Sequence, residues 1–509
     1  MADPPNILLI TSDQQRGDCF GFEGRKVRTP HLDALADSGT RFSACITPNV
    51  VCQPSRASIL TGVLPLTHGV SDNGVDLPAA VGETGFAKRL SDAGYHTALL
   101  GKAHFATHNT FAATGTPECR FSSADYPEGW RGPYMGFDHF ESMVAPHNLD
   151  RMHFAPAGLA YEEFLNHGGQ GPARLDLWRT KLEPVTEAAQ TWHSALPPAL
   201  HHSNWVGDIT SRFLERNRER PFCAWVSFPD PHHPFDAPDP WSRMHHPDEV
   251  DLPLHRTKDL DRRPWWHRQS LEGVPQMDDQ DLVAQRMHYS RTPDQDDGKL
   301  RHIIANYYGM ISLIDHNVGR ILLALDTLGL AENTLVIYTT DHGDWLGDHG
   351  LLLKGPMHYE GLLRVGCIVR GPGVPAATVR ADPVSTLDIP ATLLDYAGLS
   401  ADERWHSRSL RPLLEGNGSR DFAYNEWDLR ASRCGVDLKL RTVRTHSHKL
   451  TLEVSSGAGE LYDLANDPYE LDNRFDDPGL AVVRRELQDM IASRPDDVRR
   501  DILPQVGMA

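Results

Sequence analysis

No apolar run in these 509 residues approaches the roughly 20 that cross a bilayer as a helix, so a helical membrane protein is not among the readings. Residues 1–5 lack the basic and apolar regions of a secretory leader, and a strand-like run starts at Asn6. Cysteine is scarce: seven, an odd number and scattered, do not make a disulfide framework. These absences point to a cytoplasmic, reduced protein with no membrane partner. Basic charge is also short, 50 Lys and Arg against 69 Asp and Glu for a net charge of −19, which argues against a nucleic-acid partner. An acidic chain can still hold an anion where Lys, Arg or metal charge is gathered in a pocket. What remains is an ordinary globular composition, 40% hydrophobic and 23% charged, with no internal repeat and length enough for a large core.

Residues 6–12 form a short continuous apolar run, as in a strand buried on both faces of a parallel sheet, and the run ends in Asp13-Gln14-Gln15. Thr29-Pro30 opens a helix that Gly39 stops. Residues 41–47 read as a strand, 86–93 as a helix, and 95–100 as a strand ending in Gly101-Lys102-Ala103-His104. Between 105 and 297 the chain is rich in Pro, Trp and His, and few regular elements are expected. One unit stands out there, a helix over 208–216 and a strand over 221–228 that leads into Pro229-Asp230-Pro231-His232-His233-Pro234. The rest is expected to loop over the active face. Apolar residues recur at helical spacing over 300–328, and Tyr307 and Met310 in that stripe read as core. Residues 333–340 form the next buried strand, ending in Asp341-His342-Gly343-Asp344; 364–369 is a strand and 386–397 a helix.

Such alternation implies an α/β fold, a large mixed, mostly parallel sheet sandwiched by helices. After about Gly416 the texture changes. Residues 438–454 read as an antiparallel hairpin, 461–473 as a polar loop and 480–492 as a closing helix. The expected organisation is therefore an α/β domain over 1–415 and a smaller C-terminal α+β domain over 416–509.

The polar clusters fall where chemistry would need them. In open parallel sheets, ligands bind beyond the carboxyl ends of the strands. Asp13-Gln14, Lys102 and His104, His232-His233 and Asp341-His342 each follow a predicted strand. Any one pair reads as turn residues; four together bring oxygen, nitrogen and ammonium groups to one edge. Asp13 and Asp341 offer carboxylates, Gln14 a carbonyl oxygen and His342 an imidazole nitrogen, a set suited to one divalent cation, Ca²⁺ or Mn²⁺. Asp344, Asp348 and His349 read as structural.

Residues 51–62, Val-Cys-Gln-Pro-Ser-Arg-Ala-Ser-Ile-Leu-Thr-Gly, read as a loop running into a helix. Cys52 would lie at the helix N-terminus, where peptide dipoles favour an anionic group, and Arg56 one turn on adds positive charge. A lone Cys before a helix is usually a small buried hydrophobe. Here, however, Cys52-x-Pro54-x-Arg56 resembles the signature of the type I sulfatases, in which that cysteine is oxidised to formylglycine. Gly-Lys102-x-His104, the strand-end pairs and Leu461-Tyr462-Asp463-Leu464 with Asp467-Pro468 and Glu470 resemble the same family.

The resemblance implies that residue 52 joins Asp13, Gln14, Asp341 and His342 around the metal, and that its hydrated aldehyde is the nucleophile. It implies that Lys102 bridges residue 52 and sulfate, and that His104 contacts the hydroxyl left on residue 52. His232 and Lys354 are implied to bind the sulfate and leaving-group oxygens, either being a possible proton donor. Asn73, in Asp-Asn-Gly, reads equally as a turn residue or a ligand contact. The implied activity is hydrolysis of a small sulfate ester, aryl sulfates foremost, through a covalent sulfo-enzyme, after maturation by a formylglycine-generating enzyme. The pairing of Gln14 with His342 resembles a subgroup containing phosphonate monoester hydrolases and choline sulfatases, so phosphonate or phosphodiester hydrolysis is the alternative. Lys102 with His104 favours sulfate over phosphonate. A non-catalytic metal-binding protein that keeps a thiol at Cys52 is the third reading. A homo-oligomer is compatible with all three.

Overall fold

A computed structural model describes residues 4–143 and 159–508. Its centre is an eight-stranded sheet built from β1 (Asn6–Ser12), β2 (Thr40–Phe42), β3 (His96–Gly101), β4 (His139–Ser142), β5 (Phe222–Ser227), β6 (Thr334–Thr340), β7 (Cys367–Arg370) and β8 (Thr378–Arg380). The spatial order is β8-β2-β7-β6-β1-β5-β3-β4. Every neighbour pair is parallel except the two that β7 makes with β6 and β2. The sheet is thus mixed and mostly parallel, as the sequence implied.

The apolar runs do what their composition requires. Along β1, Ile7 and Leu9 pack on one face and Leu8 and Ile10 on the other, all fully buried. The same alternation holds in β5 and β6, so each face is covered by helices. The longer helices used below are α1 (Pro30–Asp37), α2 (Cys52–Thr61), α3 (Phe86–Asp92), α4 (His202–Asn217), α5 (Trp265–Glu272), α6 (Gln280–Ser290), α7 (Asp297–Thr327), α8 (Ile389–Tyr396) and α9 (Ala481–Ala492). Residues of α2, α3 and α8 join the cluster on the Leu9 face, and those of α1, α4 and α7 the cluster on the Leu8 face. Among the described residues no helix is long and apolar enough to cross a membrane, and all seven cysteines are free and buried.

Four expectations change. The single strand over 41–47 is two pieces, β2 and a separate Cys45–Ile46 that pairs with Val384–Ser385, because the chain leaves the main sheet at Ser43. Helix α4 starts at His202, earlier than expected, since His201 caps it by accepting the Ser203 amide at 3.3 Å. The span 105–297 holds more regular structure than its composition suggested, including Ala160–Asn166, Gly171–Arg179, α5 and α6. Finally, the supposed polar loop over 461–473 begins inside a strand.

That strand, β12 (Gly459–Asp463), closes a second sheet with β9 (Ala423–Leu429), β10 (Leu438–Arg444) and β11 (His448–Glu453), an antiparallel meander in the order β9-β10-β11-β12. Leu487 of α9 packs with Val443, Leu450 and Leu461 on one side of it. On the other side Trp427, Leu440 and Tyr462 pack with Ile46, Val50 and Val51, the residues that lead into Cys52. The chain end then returns to the first sheet's loops, where Phe111 donates to the Val506 carbonyl at 2.8 Å and Met508 to that of Asn109 at 3.0 Å.

Glu460 of β12 ties the second sheet to α5. Its carboxylate lies 3.1 Å from His267 Nε2 and accepts from the Tyr462 hydroxyl at 2.7 Å, with His267 and Glu460 each only 2% exposed. Burial alone would push this carboxyl up; His267 and the Tyr462 hydrogen bond outweigh it and hold it at about 2. A carboxyl held below its unfolded value stabilises the fold above the ordinary carboxylate range and loses that contribution as pH falls towards about 2. The shift corresponds to about 3 kcal/mol at neutral pH. Glu460→Gln is therefore expected to lower the melting temperature at pH 7, and the deficit against the parent is expected to shrink by about half near pH 3. A deficit that stays constant in paired melts would rule this linkage out.

Candidate active site

Strands β6, β1, β5 and β3 are consecutive neighbours and all parallel, so their carboxyl ends open onto one edge. The register Ser12↔Thr340 sets Asp13 beside Asp341, and Gly101↔Ser227 sets Lys102 two strands away. Gly101 has φ +108°, and a Cβ there would lie 2.0 Å from the Ser227 carbonyl oxygen, so only glycine lets the chain turn towards the site.

Cys52 enters from below as the first residue of α2, whose ten residues are all buried. Val51 is the N-cap, and Asn73 Oδ1 accepts the Gln53 amide at 2.9 Å, satisfying one of the helix's open donors. Asn73 therefore braces the helix and also lines the cavity above it. Cys52 Sγ lies 3.0 Å from Lys354 Nζ, 3.1 Å from His342 Nε2, 3.7 Å from Asp13 Oδ1 and 4.0 Å from Lys102 Nζ. Burial and Asp13 push the thiol up, but Lys102, Lys354 and His342 outweigh them and hold it well below the ordinary thiol range. The surroundings of residue 52 favour an anion there.

Lys102 also contacts the Asp13 carboxylate directly. With His104, His232, Lys354 and Asn73 it lines one cavity above Cys52. His104 holds φ +57°, and its Nδ1 is buried without a hydrogen-bond partner. Burial, helped by Lys102, pushes this imidazole well below its ordinary value, so it is neutral and able to accept a proton. His232 Nδ1 lies 2.6 Å from the His233 carbonyl oxygen, and the two rings stack with centroids 4.0 Å apart.

Arg56 is placed differently from expectation. It is fully buried beneath the site and does not line the cavity. Its donors go to the carbonyls of Lys102 and Ala103, to Ser227 Oγ and, at 3.4 Å, to Asp341 Oδ2, with the guanidinium 5.3 Å from the centroid of Trp225. Arg56 fixes the backbone that presents Lys102 and the carboxylate of Asp341 rather than meeting a ligand.

The candidate metal ligands fit a cation. Ligand atoms of Asp13, Cys52, Asp341 and His342 all lie within 4.8 Å of one another, and all four residues are buried. Gln14, at φ +65°, uses its side-chain nitrogen on Asp344 at 2.6 Å and leaves its buried Oε1 without a donor. An unsatisfied buried carbonyl oxygen on the residue after Asp13, whose own amide donates to Asp341 Oδ1, is a donor of the kind a hard cation's shell uses. Asp344 is structural as expected, accepting from Gln14 and from the amides of Leu346 and Leu353, and Asp348 pairs with Arg16 at 2.7 Å.

Three supports have roles that the sequence did not assign. Glu118 accepts the amides of His104, Phe105 and Ala106 and the Tyr134 hydroxyl, holding the loop that carries His104. Asn425 donates to the Thr47 carbonyl, and Asn49 to that of Glu426, so the second sheet clamps the approach to Cys52. Glu470 contacts Lys449 and accepts the Glu360 amide at 2.6 Å, anchoring the segment after Lys354. Buried polar residues far apart in sequence carry all three; no local spacing marks Glu118 or Asn425, whereas Glu470 belongs to the C-terminal motif noted in the sequence.

A family model described as Sulfatase matches residues 5–399, and one described as N-sulphoglucosamine sulphohydrolase, C-terminal, matches residues 347–496. An arylsulfatase of Clostridium perfringens is 30% identical, covering 92% of this chain and 90% of its own. The uncharacterized sulfatase YidJ of Escherichia coli is 29% identical over 97% of this chain and 88% of its own. Among solved structures, the phosphonate monoester hydrolase of Agrobacterium radiobacter superposes with a TM-score of 0.76 at 28% identity, covering 96% of this chain and 95% of that one.

Proposed function

This chain belongs to the sulfatase family, and we propose that it hydrolyses sulfate esters, aryl sulfates foremost, with residue 52 matured from cysteine to formylglycine as its nucleophile. The observation that carries the reading is the convergence of Lys102, Lys354 and His342 on residue 52 at a helix N-terminus, beside Asp13 and Asp341. The Sγ of Cys52 stands for the oxygens of the hydrated aldehyde. Asp13, Gln14, Asp341 and His342 would hold one divalent cation, Ca²⁺ or Mn²⁺, which supplies Lewis-acid charge against sulfate oxygens and lowers the pKa of a hydroxyl bound to it.

The chain's own groups account for the remaining steps. Lys102 and Lys354 set fixed positive charge about the group being transferred, in a site already closed to water below. One hydroxyl of residue 52 gives its proton to the Asp13 carboxylate, 3.7 Å from the atom that stands for it, and attacks sulfur; the ester S–O bond breaks, and the departing oxygen takes a proton from His232 or Lys354, both of which line the cavity. Neutral His104 then removes the proton of the second hydroxyl; its electron pair forms the aldehyde C=O and the C–O bond to sulfate breaks. Water rehydrates the aldehyde.

A second reading has specific support. Gln14 with His342, and the likeness to a phosphonate monoester hydrolase, favour an aryl phosphonate monoester as a substrate of the same site. The ratio of kcat/KM for matched phenyl sulfate and phenyl phosphonate esters separates the two. A ratio above one is expected; a ratio well below one would reverse the assignment.

A further inference from the structure

The cavity above residue 52 extends away from the reacting group to α6, where Gln285, Arg286 and Tyr289 line it together with Arg433, Met143 and Met508. Two of these polar groups are built in and left unanswered. Arg286 is only 7% exposed; its Nη2 donates to the Met508 carbonyl at 2.6 Å, while its buried Nη1 has no acceptor. Among the described residues no carboxylate lies within ion-pair distance of it, and Asp72, which acts on it from further off, is bonded to Arg433. Burial, with Arg433 adding to it, outweighs the opposing pull of Asp72 and brings this guanidinium down to about 10. Arg433, by contrast, is already matched by Asp72 at 2.6 Å. Beside Arg286, Gln285 is 9% exposed, and its buried Oε1 accepts no hydrogen bond.

A buried cation without a counter-ion is costly to maintain, and a buried acceptor without a donor costs about 1–3 kcal/mol. Leu282 and Val283 are buried on α6 with them, and Arg286 ties the helix to the chain end through Nη2 alone. Both costs are relieved together by a ligand that brings an anion and, next to it, a hydroxyl or N–H. Met143, Tyr289 and Met508 add carbon surface to the wall of the same cavity, which suits a ring.

We infer that Arg286 and Gln285 form a subsite for a second oxyanion, a carboxylate or a further sulfate, carried on the alcohol part of the substrate with a hydrogen-bond donor beside it. The inference rests on the proposed sulfate-ester reading and narrows it to dianionic esters. Arg286 is then a specificity residue, distant from the bond that breaks.

The test compares kcat/KM on phenyl sulfate, on the three carboxyphenyl sulfates and on the benzenediol disulfates. The protein is expected to prefer at least one dianionic ester over phenyl sulfate by about tenfold or more, and Arg286→Met to bring that preference to about one. Arg286→Lys, which keeps the charge, should restore part of it. Circular dichroism and thermal melts establish that each variant is folded, and Arg286→Gln serves if the Met variant is not. The carboxylate and disulfate arms tell which oxyanion is taken. Phenyl sulfate turned over with no preference for a second charge, or a preference that survives Arg286→Met in folded protein, would overturn the subsite and leave the sulfatase reading standing. No turnover of any ester would overturn both.

Discussion

Cys52→Ala is expected to abolish turnover, with a loss of about 10⁴ or more in kcat, while melting temperature and circular dichroism stay close to those of the parent. Removing one sulfur from the fully buried first residue of α2 trims little of the apolar core, because α2 is held through Ala57, Ile59 and Leu60 in the cluster below the sheet. The chemistry has no substitute. His104 is a base, Lys102 and Lys354 are cations, and Asp13 and His342 are placed to hold a metal, while both lysines reach Cys52 Sγ, at 4.0 and 3.0 Å. Cys52→Ser sharpens the test. A serine hydroxyl can attack sulfur, but its carbon bears no second hydroxyl from which a carbonyl could form to expel sulfate. That variant is expected to release at most one equivalent of alcohol and then stall, which rapid-quench kinetics would read as a burst without a steady state. Continuing turnover in either variant would end the covalent account.

The second large effect is expected at Asp341. Its Oδ1 accepts the amides of Gln14 and His342 at 3.1 and 2.9 Å, and its Oδ2 lies 3.4 Å from Arg56 Nη1. One carboxylate thereby orients two neighbouring ligands and takes the charge of the buried guanidinium. Asp341→Asn keeps the shape and removes the charge. The parent protein is expected to carry about one divalent ion per chain by elemental analysis, and the variant to lose most of it. Activity should fall about 10³-fold, since a bound cation supplies several kcal/mol of charge stabilisation. Full metal content and activity in the variant would remove Asp341 from the site.

Much of this architecture is legible because parallel strands buried on both faces leave continuous apolar runs. Residues 6–12 and 334–340 are such runs, and the polar residues right after them, Asp13 and Asp341, are set side by side by the β1–β6 register. The direction of β7 is not legible, because a short apolar strand reads alike in either orientation. Arg56 shows the limit of a motif: spacing says it belongs one turn after Cys52, but only tertiary contacts show that its donors are consumed by the carbonyls of Lys102 and Ala103 and by Ser227 Oγ. The strand at 459–463 was hidden by its brevity and by Glu460, whose burial makes sense only with His267 beside it. Glu118, Asn425 and Glu470 serve the site through the backbone of other segments, and side chains that hold distant amides or carbonyls leave no periodic trace.

One measurement reaches the centre of the account: the mass, in fully active protein, of the proteolytic peptide that contains residue 52. The expected result is replacement of the CH₂SH side chain by CHO, in proportion to specific activity. An intact thiol at residue 52 in material of full activity would contradict it.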